Sequence, residues 1–370
     1  MLKPLTSFRF FAALAVFFSH LSYFKEYNYL EWLYVHIFYE GSMGVSFFFI
    51  LSGFILTYNY HDKFNPLNKY NTSKFLISRF ARIYPVHILT FILSLPLLYK
   101  AFLESTLITL AKAIPNLMLL HSFFPIREVY FSFNGVSWSL SNEIFFYLCM
   151  PIIIYFYNKF NLNGLKPLIY IVILLLVATT FAIGFSDSLI KGWLLYIFPL
   201  FRMIEFIIGT LIAILFIKQP INWNKYQKYF TLFEISSLLS LLIGMYINNF
   251  VPTTFHYGLY YIPFMSLIIY IFAYQMGRIS KLISNRLFIY LGEISFSFYM
   301  LHQLVIRYSS YIPGIKSSPI ILAIFSFIIS LFGSVIIYSL YEVPLRNKIK
   351  NWYYVIFPKK RIIEHRKVAR

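Results

Sequence analysis

The chain has 370 residues, of which 59% are hydrophobic, 22% aromatic and only 12% charged. A soluble domain has about 25% charged residues, because polar side chains must cover its core. This composition excludes a soluble protein and predicts an all-α polytopic membrane protein. The net charge of +19 is distributed between apolar segments, which fits membrane orientation rather than nucleic-acid binding.

Apolar runs of roughly 20 residues are needed to cross about 30 Å of hydrocarbon as a helix. The sequence contains about ten such runs, and helices are expected because a lipid-exposed backbone must satisfy its own hydrogen bonds. In chain order the predicted spans are 6–24, 43–60, 83–99, 138–157, 167–185, 193–217, 230–247, 257–276, 287–306 and 318–341. The apolar stretch 104–120 carries Lys112 and Pro115 near its middle, which predicts an interfacial or re-entrant helix instead of a span.

Lys and Arg residues are unequally divided between the two sides that these spans define. Twenty-four fall on the side of the termini and seven on the other, with Arg202 inside a span. The positive-inside rule therefore predicts that both termini are cytoplasmic. The seven cations predicted outside are Lys25, Lys100, Lys112, Arg127, Lys191, Arg307 and Lys316. Residues 1–345 are expected to form one membrane domain, and 346–370 a basic cytoplasmic tail held by anionic lipid.

Ionisable residues inside spans are energetically costly and are candidates for function. Arg9 and His20 are eleven residues apart on the first span, about 20° apart around the helix and roughly 16 Å along it. They share a face and cannot touch, although one ligand could contact both. The predicted directions of the spans place Arg9 near the cytoplasmic end. They place His20, Glu143 and His302 toward the outer face.

Arg79 and Arg82 are three residues apart, and therefore on one helix face, at the cytoplasmic depth. Alone, such residues are most often cations whose charged ends reach the membrane surface. Together with Arg9 they predict a cationic cluster suited to phosphate groups.

Other polar residues within the spans favour a structural interpretation. Arg202 and Glu205 have the spacing of an ion pair within one helix. His87 and His121 are interpreted as hydrogen-bonded core residues, and Gly53 as a point of close helix packing. No HExxH, GxGxxG or Walker motif occurs, and Cys149 is the single cysteine, so no metal site and no nucleotide hydrolysis are expected.

Six segments of the chain form an ordered set of motifs. They are LTSFRFFAA at 5–13 with Ser19-His20, GVSFFFILSGF at 44–54, RFARIYP at 79–85, NGVSWSLSNEIFFYL at 134–148, LGEISFSFYMLH at 291–302 and YEVPLR at 341–346. This set resembles the integral-membrane acyltransferase 3 family over essentially the whole chain. In many members a second acid follows the position of Glu143, whereas this chain has Ile144. A mechanism with two adjacent carboxylates is therefore not expected here.

The resemblance implies a multi-pass O-acyltransferase of the bacterial cytoplasmic (plasma) membrane. It implies acetyl-CoA, or another acyl-CoA, as donor, and a hydroxyl of a cell-surface glycan or lipid-linked sugar as acceptor. The other expected partners are membrane lipids, with no nucleic acid. The competing interpretations are a transporter or flippase, in which the same charged residues line a path, and a membrane scaffold. A scaffold leaves Arg9, His20 and Glu143 without a role.

Within that family the candidate residues take hypothetical roles. Arg9, Arg79 and Arg82 would hold the CoA phosphates through charge-assisted hydrogen bonds. His20 would act as general base toward the acceptor hydroxyl, or take the acyl group itself, and Glu143 would orient the imidazole. The further candidates are His302, Ser52 and Trp138.

Overall fold

The computed structural model describes residues 2–64, 67–160, 165–185, 188, 190–218, 222–256 and 259–357. In these ranges twelve α-helices have 12 residues or more, and there is no β-strand. They are α1 (Lys3–Ser19), α2 (Met43–Tyr60), α3 (Lys69–Ser94), α4 (Thr106–Leu117), α5 (Trp138–Phe160), α6 (Lys166–Gly184), α7 (Pro199–Lys218), α8 (Phe230–Ile247), α9 (Ile262–Ala273), α10 (Arg286–Ser309), α11 (Pro319–Ile336) and α12 (Val343–Ile356).

Shorter helical segments connect these helices. Six are α-helices of four to six residues: Asn28–Leu33, Tyr99–Glu104, Arg127–Tyr130, Thr253–His256, Arg278–Ile283 and Pro313–Lys316. Eight are 3₁₀ segments: Ser22–Glu26, Tyr39–Ser42, His61–Phe64, Leu95–Leu98, His121–Phe123, Gly135–Ser137, Trp223–Tyr229 and Asn248–Phe250. Three are π-helical: Tyr34–Phe38, Trp193–Ile197 and Ile337–Glu342.

Nine helical stretches in the described ranges are long and apolar enough to cross a membrane. They coincide with nine of the ten predicted spans, and the tenth corresponds to α9, which is apolar but has only 12 residues. Helix α4 also has 12 residues. A helix of that length rises about 18 Å, too little to cross the hydrocarbon layer alone. The all-α polytopic membrane fold is therefore confirmed, with α4 as a short helix between spans, whereas the cytoplasmic position of the termini stays a prediction.

Helix α1 packs between α2 and α10, and this position turns Arg9 into the bundle, together with His20, which caps the C-terminal end of the helix. A Cβ atom on Gly292 of α10 would fall on the carbonyl oxygen of Thr6, so only glycine allows this approach. At the next residue, the Ser7 hydroxyl donates a 2.6 Å hydrogen bond to the carbonyl oxygen of Ile283. Gly44 of α2 similarly lies against the backbone of Ala12. The first helix is therefore held closely on both sides.

Helices α2 and α7 cross at a pair of glycines. A Cβ on Gly53 would fall on the carbonyl oxygen of Phe206, and a Cβ on Gly209 would fall on that of Ile50. Small residues allow this backbone contact, which membrane helices use because lipid offers no hydrophobic drive for their association. The interpretation of Gly53 as a packing point is confirmed.

We expect Gly209→Ala to destabilise the protein by about 1–3 kcal/mol, because an added methyl group cannot fit at this backbone crossing without displacing a helix. The loss should appear as a lower thermal unfolding midpoint of the detergent-solubilised protein. Gly184→Ala is the matched control, since a Cβ there meets no atom within 4 Å. Equal midpoints for the two variants would contradict the close crossing.

The structural roles predicted for Arg202, Glu205, His87 and His121 are confirmed. Arg202 Nη1 and Glu205 Oε1 are 3.0 Å apart in the buried core. The His87 ring contacts the carbonyl oxygen of Asn116 at 3.1 Å, and the His121 ring contacts the Ser137 hydroxyl at 3.2 Å.

The predicted boundary between membrane domain and tail falls inside α12. This helix packs against α3, where the hydroxyl groups of Ser73 and Tyr353 are 2.6 Å apart. Residues 358–370, the distal part of the predicted tail, lie outside the described residues.

Candidate active site

Two cavities adjoin within the bundle, and α1 contributes to both. The first, of about 320 Å³, is named the arginine cavity, and its charged lining residues are Arg9, Arg79, Arg82, Arg346, Glu143 and Glu293. The second, of about 490 Å³, is named the histidine cavity, and its polar lining residues include His20, Gln303, Arg127 and Arg307. Arg9 and His20 therefore face cavities rather than lipid, at opposite ends of the same helix face.

The arginine cavity combines guanidinium groups from three separate helices. Helix α1 supplies Arg9, α3 supplies Arg79 and Arg82, and α12 supplies Arg346. The sequence-predicted cluster of three arginines is thus brought together, with a fourth that the sequence placed in the tail. Four guanidinium groups face two lining carboxylates, which leaves an excess of positive charge. Such a site binds anions, because the planar guanidinium fork matches the oxygens of phosphate and carboxylate groups.

The π-helical segment Ile337–Glu342 completes this cavity. It brings Tyr338 to the lining, where its hydroxyl donates a 3.2 Å hydrogen bond to Glu293 Oε2. It also buries Glu342, whose Oε1 lies 3.7 Å from Arg346 Nη1 and whose Oε2 accepts a 2.7 Å hydrogen bond from Ser297. The Glu342 carboxylate thus helps to fix the position of the Arg346 guanidinium group. Segments of π-helix occur frequently at functional sites.

Glu143 lies in the arginine cavity and not beside His20. Its Oε2 accepts a 2.8 Å hydrogen bond from the Tyr147 hydroxyl one turn along α5. The prediction that Glu143 shares the depth of His20 and orients its imidazole is therefore wrong. On α5, Trp138 lines the histidine cavity whereas Ser139 already lines the arginine cavity, so Glu143, four residues further, is on the arginine side.

Val45 and Tyr299 line both cavities and are the side chains between them. The Tyr299 hydroxyl lies 2.9 Å from the Ser139 hydroxyl and donates to the Val136 carbonyl oxygen at 3.2 Å. Its ring meets the ring of Phe48 edge-on, with centroids 5.8 Å apart. A molecule that reached from the arginines to His20 would pass these two side chains.

His20 is the C-terminal cap of α1, and its ring is half-buried at the wall of the histidine cavity. Its Nδ1 lies 2.8 Å from the carbonyl oxygen of Val16. A carbonyl oxygen can only accept, so Nδ1 carries the proton and Nε2 keeps a free lone pair. This tautomer is the one that a general base or a nucleophile requires.

His302 is the direct neighbour of His20. Its Nε2 lies 3.3 Å from His20 Nδ1, and the two rings meet edge-on with centroids 5.0 Å apart. Its Nδ1 lies 3.3 Å from the Phe298 carbonyl oxygen, which assigns the proton to Nδ1 and leaves Nε2 as an acceptor. The Nδ1–H group of His20 thus faces two acceptors, and His302 holds the position predicted for Glu143.

The remaining sequence candidates line the two cavities. Ser52 of α2 lies in the arginine cavity. Trp138 is buried at the wall of the histidine cavity, with its ring centroid 5.0 Å from that of Tyr196. In the described ranges there is no group of three or more His, Cys, Asp or Glu residues that could hold a metal ion.

Comparison with known families shows which family the chain belongs to. The model of the acyltransferase 3 family, described as an acyltransferase domain, matches residues 5–339. The chain belongs to the acyltransferase 3 family. The match runs from the segment before Arg9 to residue 339, inside the π segment that carries Tyr338, so both cavities fall almost entirely within this acyltransferase domain.

Curated relatives of this acyltransferase have matching names. The acyltransferase MdmB of Streptomyces mycarofaciens is 30% identical, over 85% of this chain and 81% of its own length. The O-acetyltransferase OatA of Staphylococcus aureus is 23% identical, over 94% of this chain and 57% of its own length. A putative O-acetyltransferase of S. aureus strain COL is also 23% identical, over 84% and 54%. The chain thus spans little more than half the length of the two staphylococcal relatives, and no solved structure matches it.

Sequence reasoning missed several residues that line the two cavities. Arg346 was assigned to the tail, although its spacing of four from Glu342 in the motif YEVPLR was a signal for a helical pair. Tyr299 stands one turn before His302, a spacing that could have placed it beside the histidine. Val45 and Glu293 carry no comparable signal, because only the packing of α2 and α10 around α1 brings them to the cavities.

Proposed function

We propose that this membrane O-acyltransferase moves an acyl group, most simply acetyl, from cytoplasmic acyl-CoA to a hydroxyl of a cell-surface glycan or lipid-linked sugar. Its location would be the bacterial plasma membrane. The observation that carries the proposal is the adjoining arrangement of a cationic cavity and an imidazole cavity on one face of α1. The names of the staphylococcal relatives favour acetyl over longer chains. No specific observation favours the transporter alternative.

The arginine cavity fits the phosphate groups of a CoA donor. Its four guanidinium groups offer many N–H donors from directions set by separate helices, and its two lining carboxylates do not neutralise them. Glu143 accepts a hydrogen bond from Tyr147 and lines the same cavity, where its carboxylate would attract the neighbouring guanidinium groups. Arg9 would bind a phosphate, and the roughly 16 Å between Arg9 and His20 along α1 is comparable to the length of the pantetheine arm.

Acyl transfer then follows from the His20 tautomer. The acceptor hydroxyl gives its proton to Nε2 while its oxygen forms a bond to the thioester carbonyl carbon. The carbon–sulfur bond breaks, and the thiolate leaves with the proton returned from Nε2. In the alternative order, Nε2 attacks the carbonyl carbon first and the carbon–sulfur bond breaks, so that the CoA thiolate leaves. The hydroxyl oxygen then takes the acyl group from Nε2, the bond between Nε2 and the acyl carbon breaks, and the hydroxyl proton passes to the thiolate. Both orders need the same free lone pair and the same acceptor, the Val16 carbonyl, for Nδ1–H.

The histidine cavity is suited to a sugar acceptor. Trp138, Tyr196 and Tyr34 contribute aromatic surface to its lining. Aromatic rings have apolar faces onto which the C–H groups of a pyranose ring pack, while their polar ends reach hydroxyl groups. Entry from the outer side keeps the acceptor separate from the CoA donor until the acyl group passes Val45 and Tyr299.

The proposal is tested with the purified protein in detergent micelles and acetyl-CoA, with free CoA thiol as the readout. We expect thiol release that increases on addition of methyl β-glucoside, with an acetyl ester of the glucoside detected by mass spectrometry. His36→Ala is the matched control variant for later histidine changes, since this histidine is exposed and lines neither cavity. If the protein neither bound acetyl-CoA nor released thiol from it, the proposal that acetyl-CoA is the donor would be refuted.

A further inference from the structure

We infer that the acceptor carries a negative charge, a carboxylate or a phosphate, close to the hydroxyl that is acylated. This inference rests on the proposed function and specifies the substrate class of the histidine cavity. Two guanidinium groups, those of Arg127 and Arg307, line this cavity together with His20. No Asp or Glu occurs among its described lining residues. The cavity that would receive the acceptor is therefore cationic as well as aromatic.

Both arginines have guanidinium N–H groups that are available to a ligand. Arg307 is half-buried on α10, and its Nη1 donates a 3.4 Å hydrogen bond to the carbonyl oxygen of Phe133. Arg127 is exposed and begins the one-turn helix Arg127–Tyr130. None of the three ion pairs in the described part of the chain involves either residue. A guanidinium group has five N–H donors, so most of those on Arg307 remain for a ligand.

A third cation stands at the same cavity. The Nζ atom of Lys25 lies 5.3 Å from the ring centroid of Tyr34 and 5.5 Å from that of Tyr39, and both tyrosines line the cavity. The carboxylates next in sequence to Lys25 and Arg127 are those of Glu26 and Glu128, which are exposed and do not line the cavity. The buried Glu40, next to Tyr39, does not line it either and accepts a 2.6 Å hydrogen bond from Tyr261. The field at the cavity is therefore positive, and an anionic group entering it would be attracted.

The distribution of cations along the chain gives an independent argument. The predicted topology leaves only seven Lys and Arg residues on the outer side, in keeping with the positive-inside rule. Three of these seven, Lys25, Arg127 and Arg307, surround the histidine cavity. A side that is generally depleted of cations thus concentrates nearly half of them at one cavity. Solubility or membrane anchoring does not require such a concentration, whereas recognition of an anion does.

Two kinds of acceptor share the required oxyanion. One is an acidic sugar whose own carboxylate meets the arginines, and the other is a sugar linked through phosphate to a lipid carrier. Guanidinium binds both oxyanions through paired hydrogen bonds. In either case the aromatic wall formed by Trp138 and Tyr196 would hold the sugar ring while the arginines fix which hydroxyl faces His20 Nε2.

The test compares three matched probes with the purified protein and acetyl-CoA. Methyl β-glucoside is neutral, methyl β-glucuronide adds a carboxylate, and glucose 1-phosphate adds a phosphate. We expect a KM at least about 10-fold lower for a charged probe than for the glucoside, because hydrogen bonds to charged groups are the stronger ones. A preference for the glucuronide would identify an acidic sugar, and a preference for glucose 1-phosphate a phosphate-linked one.

Arg127→Gln combined with Arg307→Gln should raise the KM for the preferred charged probe by about 10-fold or more, since the anion loses both guanidinium partners. Lys316→Gln is the matched control, because this lysine is exposed, is predicted on the same side and does not line the cavity. Equal KM values for charged and neutral probes, or an unchanged KM in the double variant, would overturn the inference. A failure of the proposed function itself would differ, because thiol release from acetyl-CoA would then be absent.

Discussion

Replacement of His20 by alanine is expected to lower the rate of acyl transfer by about a hundred- to ten-thousand-fold, the usual contribution of a general base. The variant can still bind both substrates, but it has no side chain at position 20 to receive the proton of the acceptor hydroxyl. His20 caps α1 through its backbone N–H, which bonds to the carbonyl oxygen of Phe17, and alanine retains that bond. The purified variant should therefore bind acetyl-CoA and elute from a size-exclusion column at the same volume as the unaltered protein, but it should form almost no ester.

Variants at two further histidines, His36 and His302, make this test specific. His36→Ala should retain full transfer, because its exposed ring contacts the Trp32 carbonyl oxygen and lines neither cavity. His302→Ala should lose less activity than His20→Ala and chiefly in kcat, since in the proposed mechanism His302 would accept from His20 Nδ1 and would not touch the substrate. His302→Gln keeps an acceptor oxygen and should restore part of the loss. If His20→Ala kept full activity, His20 could be neither the general base nor the nucleophile.

Much of the site could be predicted because it depends on geometry within single helices. The spacing of eleven between Arg9 and His20 fixes a common face, and the spacing of three between Arg79 and Arg82 does the same. The ordered apolar runs predict the helices themselves, and a glycine inside a span indicates a close crossing, as found at Gly53. These inferences need no knowledge of which helices are neighbours.

The placement of Glu143 shows where such local reasoning fails. Its depth was estimated from its position within a predicted span, and this put it level with His20. The boundary between the two cavities, however, lies at the very start of α5, between Trp138 and Ser139, so that the lining residues of this helix from Ser139 to Tyr147 are all on the arginine side. Arginine side chains also extend several ångströms along the bundle, which brings their charged ends toward a carboxylate further from the surface. Depth along one helix does not define distance between side chains of different helices.

The same limit explains Arg346 and Val45. A basic residue near a basic terminus is typical of positive-inside anchoring, and only the π segment before α12 turns Arg346 toward the cavity. Val45 is one of many apolar residues on α2, and its place between the cavities arises from the approach of α2 to α1 at Gly44. Tertiary packing selects these residues from among equivalent ones.

Replacement of both Arg79 and Arg82 by glutamine is expected to raise the KM for acetyl-CoA by at least about 100-fold. A hydrogen bond to a charged group contributes about 1.5–3 kcal/mol, and the loss of two such bonds corresponds to a factor of this size or more. At saturating acetyl-CoA the rate should fall much less, because His20 lines the other cavity, where the proposed acceptor would bind. The measurement is the dependence of thiol release on acetyl-CoA concentration for the purified variant and the unaltered protein.

Arg278→Gln is the matched control for this pair. It removes a guanidinium group from the side predicted to be cytoplasmic, but Arg278 is exposed and does not line the arginine cavity. Its KM should therefore equal that of the unaltered protein, which separates specific phosphate binding from a general loss of positive charge. If instead the double variant lowered kcat with no change in KM, the arginines would act in the chemical step and donor binding would depend on other groups. The split between KM and kcat thus decides whether the two cavities divide the work of holding the donor and activating the acceptor.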